Sequence, residues 1–382
     1  MGAVSEEQRR QFEEKGYVII DDPAPPDWID PVLSDMEPMY RKEPPGGELE
    51  MVEDGVVFNR HPKKGGERYW HRIRNAWRVS DNVRRLALAP RVLEVISGLH
   101  GGHPVKASQT LNFAVGTQQP AHSDSFEFQP DPPGLMCGVW VALEDMDMEN
   151  GPLFYHPGSH RLPLPSWDRI HDVLGSDIDR ADFDDDGAFV AARRRAQRAY
   201  FTKMAEESGS APEHATIRKG QALVWASNLL HGGSFQEDKS RTRHSQVMHY
   251  FFGGARVYAW MGRVGDRIPW DYPEWVRDPV PVYSPELLSE AIAAGVPEGE
   301  TALVAAHQPL DTLPVPGRRL LPFPVGSEPA QLPNGDARYL VFAKETLGWL
   351  EHEQTALQDV LESEHRAVLR DGAVAAIYEL SG

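Results

Sequence analysis

His122-Ser123-Asp124 is the one place in this chain where a histidine stands two residues before a carboxylate. Ligands separated by one residue point to the same side of an extended backbone. A third ligand from a distant strand completes one face of an octahedron. Three positions then stay open, as a non-haem iron(II) oxygenase requires. His231, in Ala226-Ser227-Asn228-Leu229-Leu230-His231-Gly232-Gly233, is the candidate third ligand. Arg241 and Arg243 follow shortly after it. A guanidinium is always charged and forked, so it grips both oxygens of a carboxylate. The distal carboxylate of 2-oxoglutarate needs such a partner while its keto end chelates the metal. The two arginines share parity, so strand alternation does not choose between them.

Several strands must hold such a set together. Leu111, Phe113 and Val115 alternate with Asn112 and Ala114, the two-residue period of a strand. Leu135 to Leu143 is nearly all apolar, as in a strand buried on both faces. Pro152 to Tyr155 is another strand, closed by Pro157-Gly158-Ser159, and Gln221 to Ala226 and Ser245 to Phe252 complete the set. Short strands divided by turns predict a mainly β domain with flanking helices, a double-stranded β-helix (cupin-like jelly roll). Ahead of it, Ser5 and Gln8 form a capping pair for a helix that Gly16 ends, and Tyr17 to Ile20 is a strand. Helix signals return from Asn82 to Leu99.

Residues 160–215 are polar, with a helical stretch near Ala191 to Glu207, and read as an inserted lid. Within them Asp182-Phe183-Asp184-Asp185-Asp186-Gly187 matches the start of a calcium loop. The carboxylate that should close that loop is Arg193, so the segment reads as a solvated acidic loop. After Tyr283 the pattern changes to a small α/β domain. Thr301 to Ala305, Tyr339 to Phe342 and Val374 to Leu380 read as its strands, and Leu347, Leu350, Leu357 and Leu361 as one helix face. The expected organisation is a jelly-roll domain over 1–283 and an accessory α/β domain over 284–382.

Taken in order, Leu111-Asn112-Phe113, His122-Ser123-Asp124, Asn150-Gly151-Pro152-Leu153, Pro157-Gly158-Ser159-His160, His231-Gly232-Gly233-Ser234 and Arg241-Thr242-Arg243 resemble the phytanoyl-CoA dioxygenase family of Fe(II)/2-oxoglutarate-dependent oxygenases. The resemblance covers roughly the first two-thirds of the chain. It implies that His122, Asp124 and His231 bind iron and that Arg243 binds the distal carboxylate of 2-oxoglutarate. It also implies cosubstrate contacts from Asn112, Trp140 and Ser234. The loop from His231 to Arg243 is one residue longer than the family's usual length, which keeps Arg241 as the alternative anchor. The implied activity is a dioxygenase that uses O2 and 2-oxoglutarate to hydroxylate a C–H bond of a small molecule. Related halogenases lack the carboxylate, so Asp124 favours oxygen chemistry. Tyr339 to Leu380 resembles tails of some bacterial glycosyltransferase proteins, which points towards a natural-product or saccharide intermediate. The competing reading is a cupin-like metal- or sugar-binding protein without oxidative turnover.

The rest of the sequence narrows the field. A formal net charge of −18 repels phosphate backbones, which argues against nucleic acid as a partner. No stretch is long and apolar enough for a membrane helix, and the first residues lack the basic and apolar regions of a secretion signal. Cys137 is the only cysteine, so no internal disulfide forms. The chain reads as cytoplasmic, with its oligomeric state open. Cys137 reads as a small buried hydrophobe. His100, His103, His156, His160 and His249 read as structural or exposed. The cluster Arg68 to Arg78, with Tyr69, Trp70, His71, Arg72, Arg74 and Trp77, either lines a pocket for a polar or anionic substrate or braces the barrel.

Overall fold

The computed structural model describes residues 4–41, 48–53, 56–59, 72–175, 178–179, 182, 184, 186–258, 270–280, 282–326, 332 and 337–381. The chain divides into two compact units, Met1–Ala255 and Arg256–Gly382.

In the first unit the strands are β1 (Tyr17–Ile20), β2 (Glu48–Glu53), β3 (Val56–Asn59), β4 (Arg72–Arg74), β5 (Val105–Phe113), β6 (Gln129–Asp131), β7 (Met136–Ala142), β8 (Leu153–Tyr155), β9 (Glu213–His214), β10 (Ala222–Ala226), β11 (His231–Gly233) and β12 (Ser245–Phe252). The helices are α1 (Glu6–Lys15), α2 (Ile29–Arg41), α3 (Asp81–Ala87), α4 (Pro90–Leu99), α5 (Asp124–Glu127), α6 (Trp167–Leu174) and α7 (Asp186–Glu207). One antiparallel sheet runs β1-β10-β7-β12-β5-β4-β2-β3 and a smaller one β11-β8-β9.

Local chemistry sets these elements. Ser5 and Gln8 cap α1 reciprocally, and Gly16 ends it with φ 80°, a conformation that costs glycine least. The helical stretch expected from Asn82 to Leu99 is two helices, because Pro90 cannot donate to the preceding turn and starts α4 instead.

Register across the large sheet decides which side chains share a face. Trp225, Gly138, His249 and Gln109 form one row across β10, β7, β12 and β5. Leu223, Trp140, Val247, Leu111 and Arg74 form the next, which reaches β4. On the same face Ser245 pairs with Phe113, and Phe113 with Arg72. This face packs on the small sheet in one core that joins Trp140, Leu223, Leu111 and Val247 to Tyr155 and Leu153. Helices cover the other face: Gln246 donates to Val83 O at 3.1 Å and Tyr250 to Ala87 O at 2.8 Å, both carbonyls of α3.

The insertion contains α6 and α7. Phe126, fully buried, meets Trp167 of α6 and Phe201 of α7 edge-on, with ring centroids at 5.3 and 5.8 Å. Burying a phenylalanine contributes about 2 kcal/mol, and here it ties the insertion to a residue just past Asp124. Within the acidic stretch, Phe183 and Asp185 lie outside the described residues. Arg193 is buried with its guanidinium 3.9 Å from the centre of the Trp167 ring.

The second unit has β13 (Arg256–Tyr258), β14 (Trp270–Asp271), β15 (Thr301–Ala305), β16 (Arg319–Pro322), β17 (Tyr339–Ala343), β18 (Arg366–Asp371) and β19 (Ala375–Glu379), with α8 (Pro285–Gly295), α9 (Lys344–His352) and α10 (Thr355–Glu364). Five strands form a mixed sheet, β16-β15-β17-β19-β18. Leu347, Leu350, Leu357 and Leu361 do pack into one core, but from two helices, α9 and α10, rather than one.

The expected division after residue 283 lies further along the chain than the structural one. Tyr272 is buried in the second unit's core and hydrogen-bonds Tyr378 at 2.6 Å, and Trp275 donates to Arg370 O at 3.1 Å. These contacts draw residues 270–280 into the second unit. Among the described residues no helix is long and apolar enough to cross a membrane.

Candidate metal centre

Backbone pairing brings the two histidine segments together. His122 N–H donates to His231 O at 2.9 Å, and His231 N–H to His122 O at 3.0 Å. The rings lie side by side, centroids 4.3 Å apart. His122 Nδ1 is 3.0 Å from Pro120 O, and His231 Nδ1 is 2.9 Å from Leu229 O. A carbonyl oxygen only accepts, so each Nδ1 carries a proton and Nε2 is the nitrogen of each ring placed to bind a metal. The Nε2 atoms of His122 and His231 turn to Asp124 Oδ1, at 3.8 and 3.6 Å. The candidate ligand atoms all lie within 4.8 Å of one another. Ser123 is extended (φ −117°, ψ 131°), which puts His122 and Asp124 on one side although Asp124 already opens α5.

The other carboxylate oxygen is held from behind. Trp225 Nε1 donates to Asp124 Oδ2 at 2.8 Å, and His249 Nε2 stands 3.6 Å from the same atom. A hydrogen bond to a charged acceptor contributes about 1.5–3 kcal/mol. The indole reaches that place because its neighbour across the sheet is Gly138. A Cβ there would lie 2.1 Å from Trp225 Cζ2. Gly138 thus fixes Trp225, and Trp225 fixes which oxygen faces the histidines.

Burial opposes the charge of Asp124. His231, His249, His122 and the Trp225 hydrogen bond outweigh it and hold the carboxyl below its ordinary value. Burial, aided by His231, lowers His122 to about 4 against the pull of Asp124. Its imidazole is therefore neutral at neutral pH, the form that binds metal. Burial likewise lowers His249.

The triad lines a cavity of about 340 Å³. Arg243 lines it too and is 2% exposed. Its Nε and Nη1 have no hydrogen-bond partner. The guanidinium stands 5.3 Å from the Phe113 ring centre and 5.6 Å from that of Trp140. Burial lowers its pKa to about 10, which leaves it cationic at neutral pH. Arg241 goes elsewhere. Its Nη1 donates to both Asp147 oxygens at 2.9 and 2.8 Å and to Glu149 at 3.2 Å, and its side chain is 32% exposed. Shared parity does not apply to the two arginines, because β12 begins only at Ser245 and the residues before it are a turn and loop.

The remaining expected contacts divide. Trp140 lines the cavity, fully buried, with Nε1 unpartnered. Asn112 does not line it. Leu111 and Phe113 face the cavity, so the pleat turns Asn112 to the opposite face, where it donates to Gln246 at 3.0 Å. Ser234 does not line it either. Gly232 and Gly233 do, and beyond β11 the chain turns Ser234 to His214 Nδ1 at 2.9 Å.

Four cavity features escaped the sequence reading. His249, read there as structural or exposed, is buried and borders Asp124; its parity with Val247 on β12 was the available signal. Gln119 Nε2 lies 3.4 Å from His122 Nε2. Glu127 accepts from Gln197 Nε2 at 2.9 Å. Arg194 and Arg198 of α7 join Arg72 and Arg74 in the lining. Tyr69, Trp70 and His71 of the aromatic–arginine cluster lie outside the described residues, and Trp77 is buried away from the cavity. Cys137 is buried, and burial beside the Asp124 charge pushes its thiol well up.

Fold and site define a strand-rich protein that gathers two histidines and one carboxylate in a cavity, the donor set of mononuclear non-haem metal proteins. The family model for phytanoyl-CoA dioxygenase (PhyH) matches residues 12–242. The chain belongs to that family. It is 26% identical over 179 residues to peroxisomal phytanoyl-CoA dioxygenase of Rattus norvegicus, covering 43% of this chain and 52% of the relative. It is 35% identical over 80 residues to phytanoyl-CoA dioxygenase domain-containing protein 1 of Danio rerio, covering 20% of this chain and 28% of that one. The chain spans about half the length of the rat and mouse dioxygenases it matches. Among solved structures it is similar to the non-heme alpha ketoglutarate dependent carbocyclase SnoK from nogalamycin biosynthesis (TM-score 0.48, 18% identity, 67% of this chain and 88% of that chain). It is also similar to EctD from S. alaskensis with 2-oxoglutarate and 5-hydroxyectoine (TM-score 0.48, 18% identity, 68% and 80%). The family match ends before the second unit.

Proposed function

We propose that this chain is an Fe(II)- and 2-oxoglutarate-dependent dioxygenase that hydroxylates a C–H bond of a small molecule. The observation that carries the reading is Arg243, a buried cation with two unpartnered nitrogens, Nε and Nη1, in the same cavity as the His122, Asp124 and His231 triad. A buried, unpaired charge is costly unless a ligand completes it, and a guanidinium fork fits a carboxylate. The triad fits iron(II): two imidazole Nε2 atoms and one carboxylate oxygen, from the donor types that non-haem iron sites use.

When bound, iron and 2-oxoglutarate supply the oxidising power, with O2 consumed and succinate and CO2 released. The chain's residues do the rest. His122, Asp124 and His231 bind the metal. Trp225 keeps Asp124 Oδ2 turned away, so that Oδ1 is presented. Arg243 binds the distal carboxylate, with Trp140 beside it. Leu111, Phe113, Trp140 and Val247 exclude water from the arginine's side of the cavity. The two sheets are read as those of a double-stranded β-helix, and α6 and α7 as a lid over the site. The substrate is a small molecule; a natural-product or saccharide intermediate fits the sequence reading. The second unit is read as an accessory domain and the chain as cytoplasmic.

The test is anaerobic addition of iron(II) and 2-oxoglutarate to metal-free protein, followed by the visible charge-transfer band of the chelate. A band in the wild type and Arg241→Ala, weakened in Arg243→Ala, is the expected result. Tight iron binding with no band would favour the non-oxidative, cupin-like reading instead.

A further inference from the structure

Two carboxylates line the cavity, Asp124 and Glu127, and they open and close the single turn of α5. Residues three apart on a helix share a face, so the turn that presents Asp124 to the histidines points Glu127 the same way. Phe126, between them, is fully buried against α6 and α7. Glu127 is not among the clustered ligand atoms of His122, Asp124 and His231. Neither the metal ligands nor the cosubstrate anchor include it.

One side of this carboxylate is taken and the other is not. Among the described residues Gln197 of α7 alone hydrogen-bonds its side chain, Nε2 donating to Oε1 at 2.9 Å. Oε2 is left to the cavity. Gln197 lines the cavity as well, and with its Nε2 engaged, its carbonyl oxygen remains an acceptor. Burial pushes the Glu127 carboxyl above its ordinary value, and the Gln197 hydrogen bond and the Arg194 charge only partly offset this. A carboxylate so placed is short of donors, and a ligand that supplies one stabilises it.

We infer that the substrate of this site presents a hydrogen-bond donor, a hydroxyl or an amine, to Glu127, and that Glu127 with Gln197 selects the substrate by it. The inference rests on the reading of the cavity as an oxygenase site. Glu127 Oε2 and the Gln197 carbonyl are acceptors on two bonded side chains, one of them charged. A hydroxyl satisfies one acceptor, and an amine has donors for both. A molecule that accepts without donating leaves the carboxylate unpaired, which costs more than a lost contact. Phe128, the next residue, and Phe201, one turn beyond Gln197, also line the cavity and suit a hydrocarbon portion of the same molecule. The donor end is thereby held between α5 and α7, and the carbon to be oxidised is set by its distance from that end. The same pair ties α7 to the turn that carries Asp124, but a tether alone would affect donors and non-donors alike.

The probes are three molecules of equal heavy-atom count: hexanol, hexylamine and methyl pentyl ether, the last an acceptor that cannot donate. Each is titrated calorimetrically into the anaerobic protein holding iron(II) and saturating 2-oxoglutarate, so that Arg243 is occupied. The chelate band is recorded in the same samples. Its absence would count against the oxygenase reading, whereas the probe titrations, repeated without iron and cosubstrate, judge Glu127. Hexanol or hexylamine should bind about tenfold more tightly than the ether, the effect of one hydrogen bond to a charged group. Glu127→Leu should erase that preference while the ether binds as before. Glu127→Gln keeps an acceptor without the charge. It should retain part of a preference for the alcohol but lose one for the amine, which names the donor, and it decides the matter if the leucine variant does not fold. Equal binding of the ether and both donors, no binding of any probe at millimolar concentration, an unchanged preference in either folded variant, or an equal weakening of all three probes would each overturn the inference.

Discussion

Each unit buries a charged group, and the two are completed differently. In the second unit Glu362 accepts from Arg370 Nε at 3.0 and 3.1 Å, from Arg370 Nη2 at 2.5 Å and from Tyr378 at 2.6 Å. Tyr378 in turn meets Tyr272 at 2.6 Å, and Gln358 donates to Tyr272 at 3.2 Å. Every charge there has a protein partner. In the first unit Arg243 is equally buried, yet two of its nitrogens have none, and neither does Trp140 Nε1. A closed network stabilises its own fold. An open one costs stability, and a ligand that completes it recovers that cost. The first unit's polar cluster is built to receive something, whereas the second unit's holds the unit together.

The largest expected effect comes from breaking the receiving cluster at its centre. Asp124→Ala or His231→Ala should lower succinate formation by more than about a hundredfold, the upper end for loss of a metal site's outer partners. Retained turnover in either variant would remove the triad from the mechanism. A matched pair of substitutions then tests the contrast itself. Arg370→Met strands Glu362 and should cost about 3 kcal/mol in urea unfolding, at the low end because Tyr378 still donates. Arg243→Met should leave stability level or raise it, while KM for 2-oxoglutarate rises steeply. Equal destabilisation in both would end the distinction between closed and open networks.

A smaller effect is expected one step behind the metal. Trp225→Phe removes the hydrogen bond to Asp124 Oδ2 and should weaken metal binding about tenfold to a hundredfold, read by competition with a chelator. Gly138→Val should reproduce that loss, since its Cβ enters the space of the Trp225 indole. If Gly138→Val binds metal as the wild type does, the indole is not what orients the carboxylate. The smallest effect belongs to Arg241→Ala. Its partner Asp147 is half-exposed and Glu149 exposed, so stability should change by under about 1 kcal/mol and KM for 2-oxoglutarate hardly at all.

Elements with strong local signals were legible in the chain. Tyr17 to Ile20 and Ser245 to Phe252 are strands over the expected bounds, and β7 is buried along its whole length, as its continuous apolar run implied. The order of His122, Asp124, His231 and the late arginines was equally plain, because metal ligands and their spacing are written in residue types. Where the reading failed, the deciding contact was remote. Parity on β5 already separates Asn112 from Leu111 and Phe113, but which parity faces the cavity depends on what packs against each side of the sheet. Ser234 was lost to His214, a partner on β9.

The sequence by itself determined the donor types, their order, and the strands and turns that carry them, since these follow from side-chain chemistry and from periods of two or 3.6 residues. Only the tertiary structure decided that Arg243 enters the cavity while Arg241 turns to Asp147. It alone revealed that Gly138 makes room for the indole that orients Asp124, and that arginines 72, 74, 194 and 198 share one wall. The physical reason is that hydrogen bonds, sterics and charge act over a few ångströms of space. A chain specifies which residues meet across that distance only once the register of its strands and the packing of its helices are set.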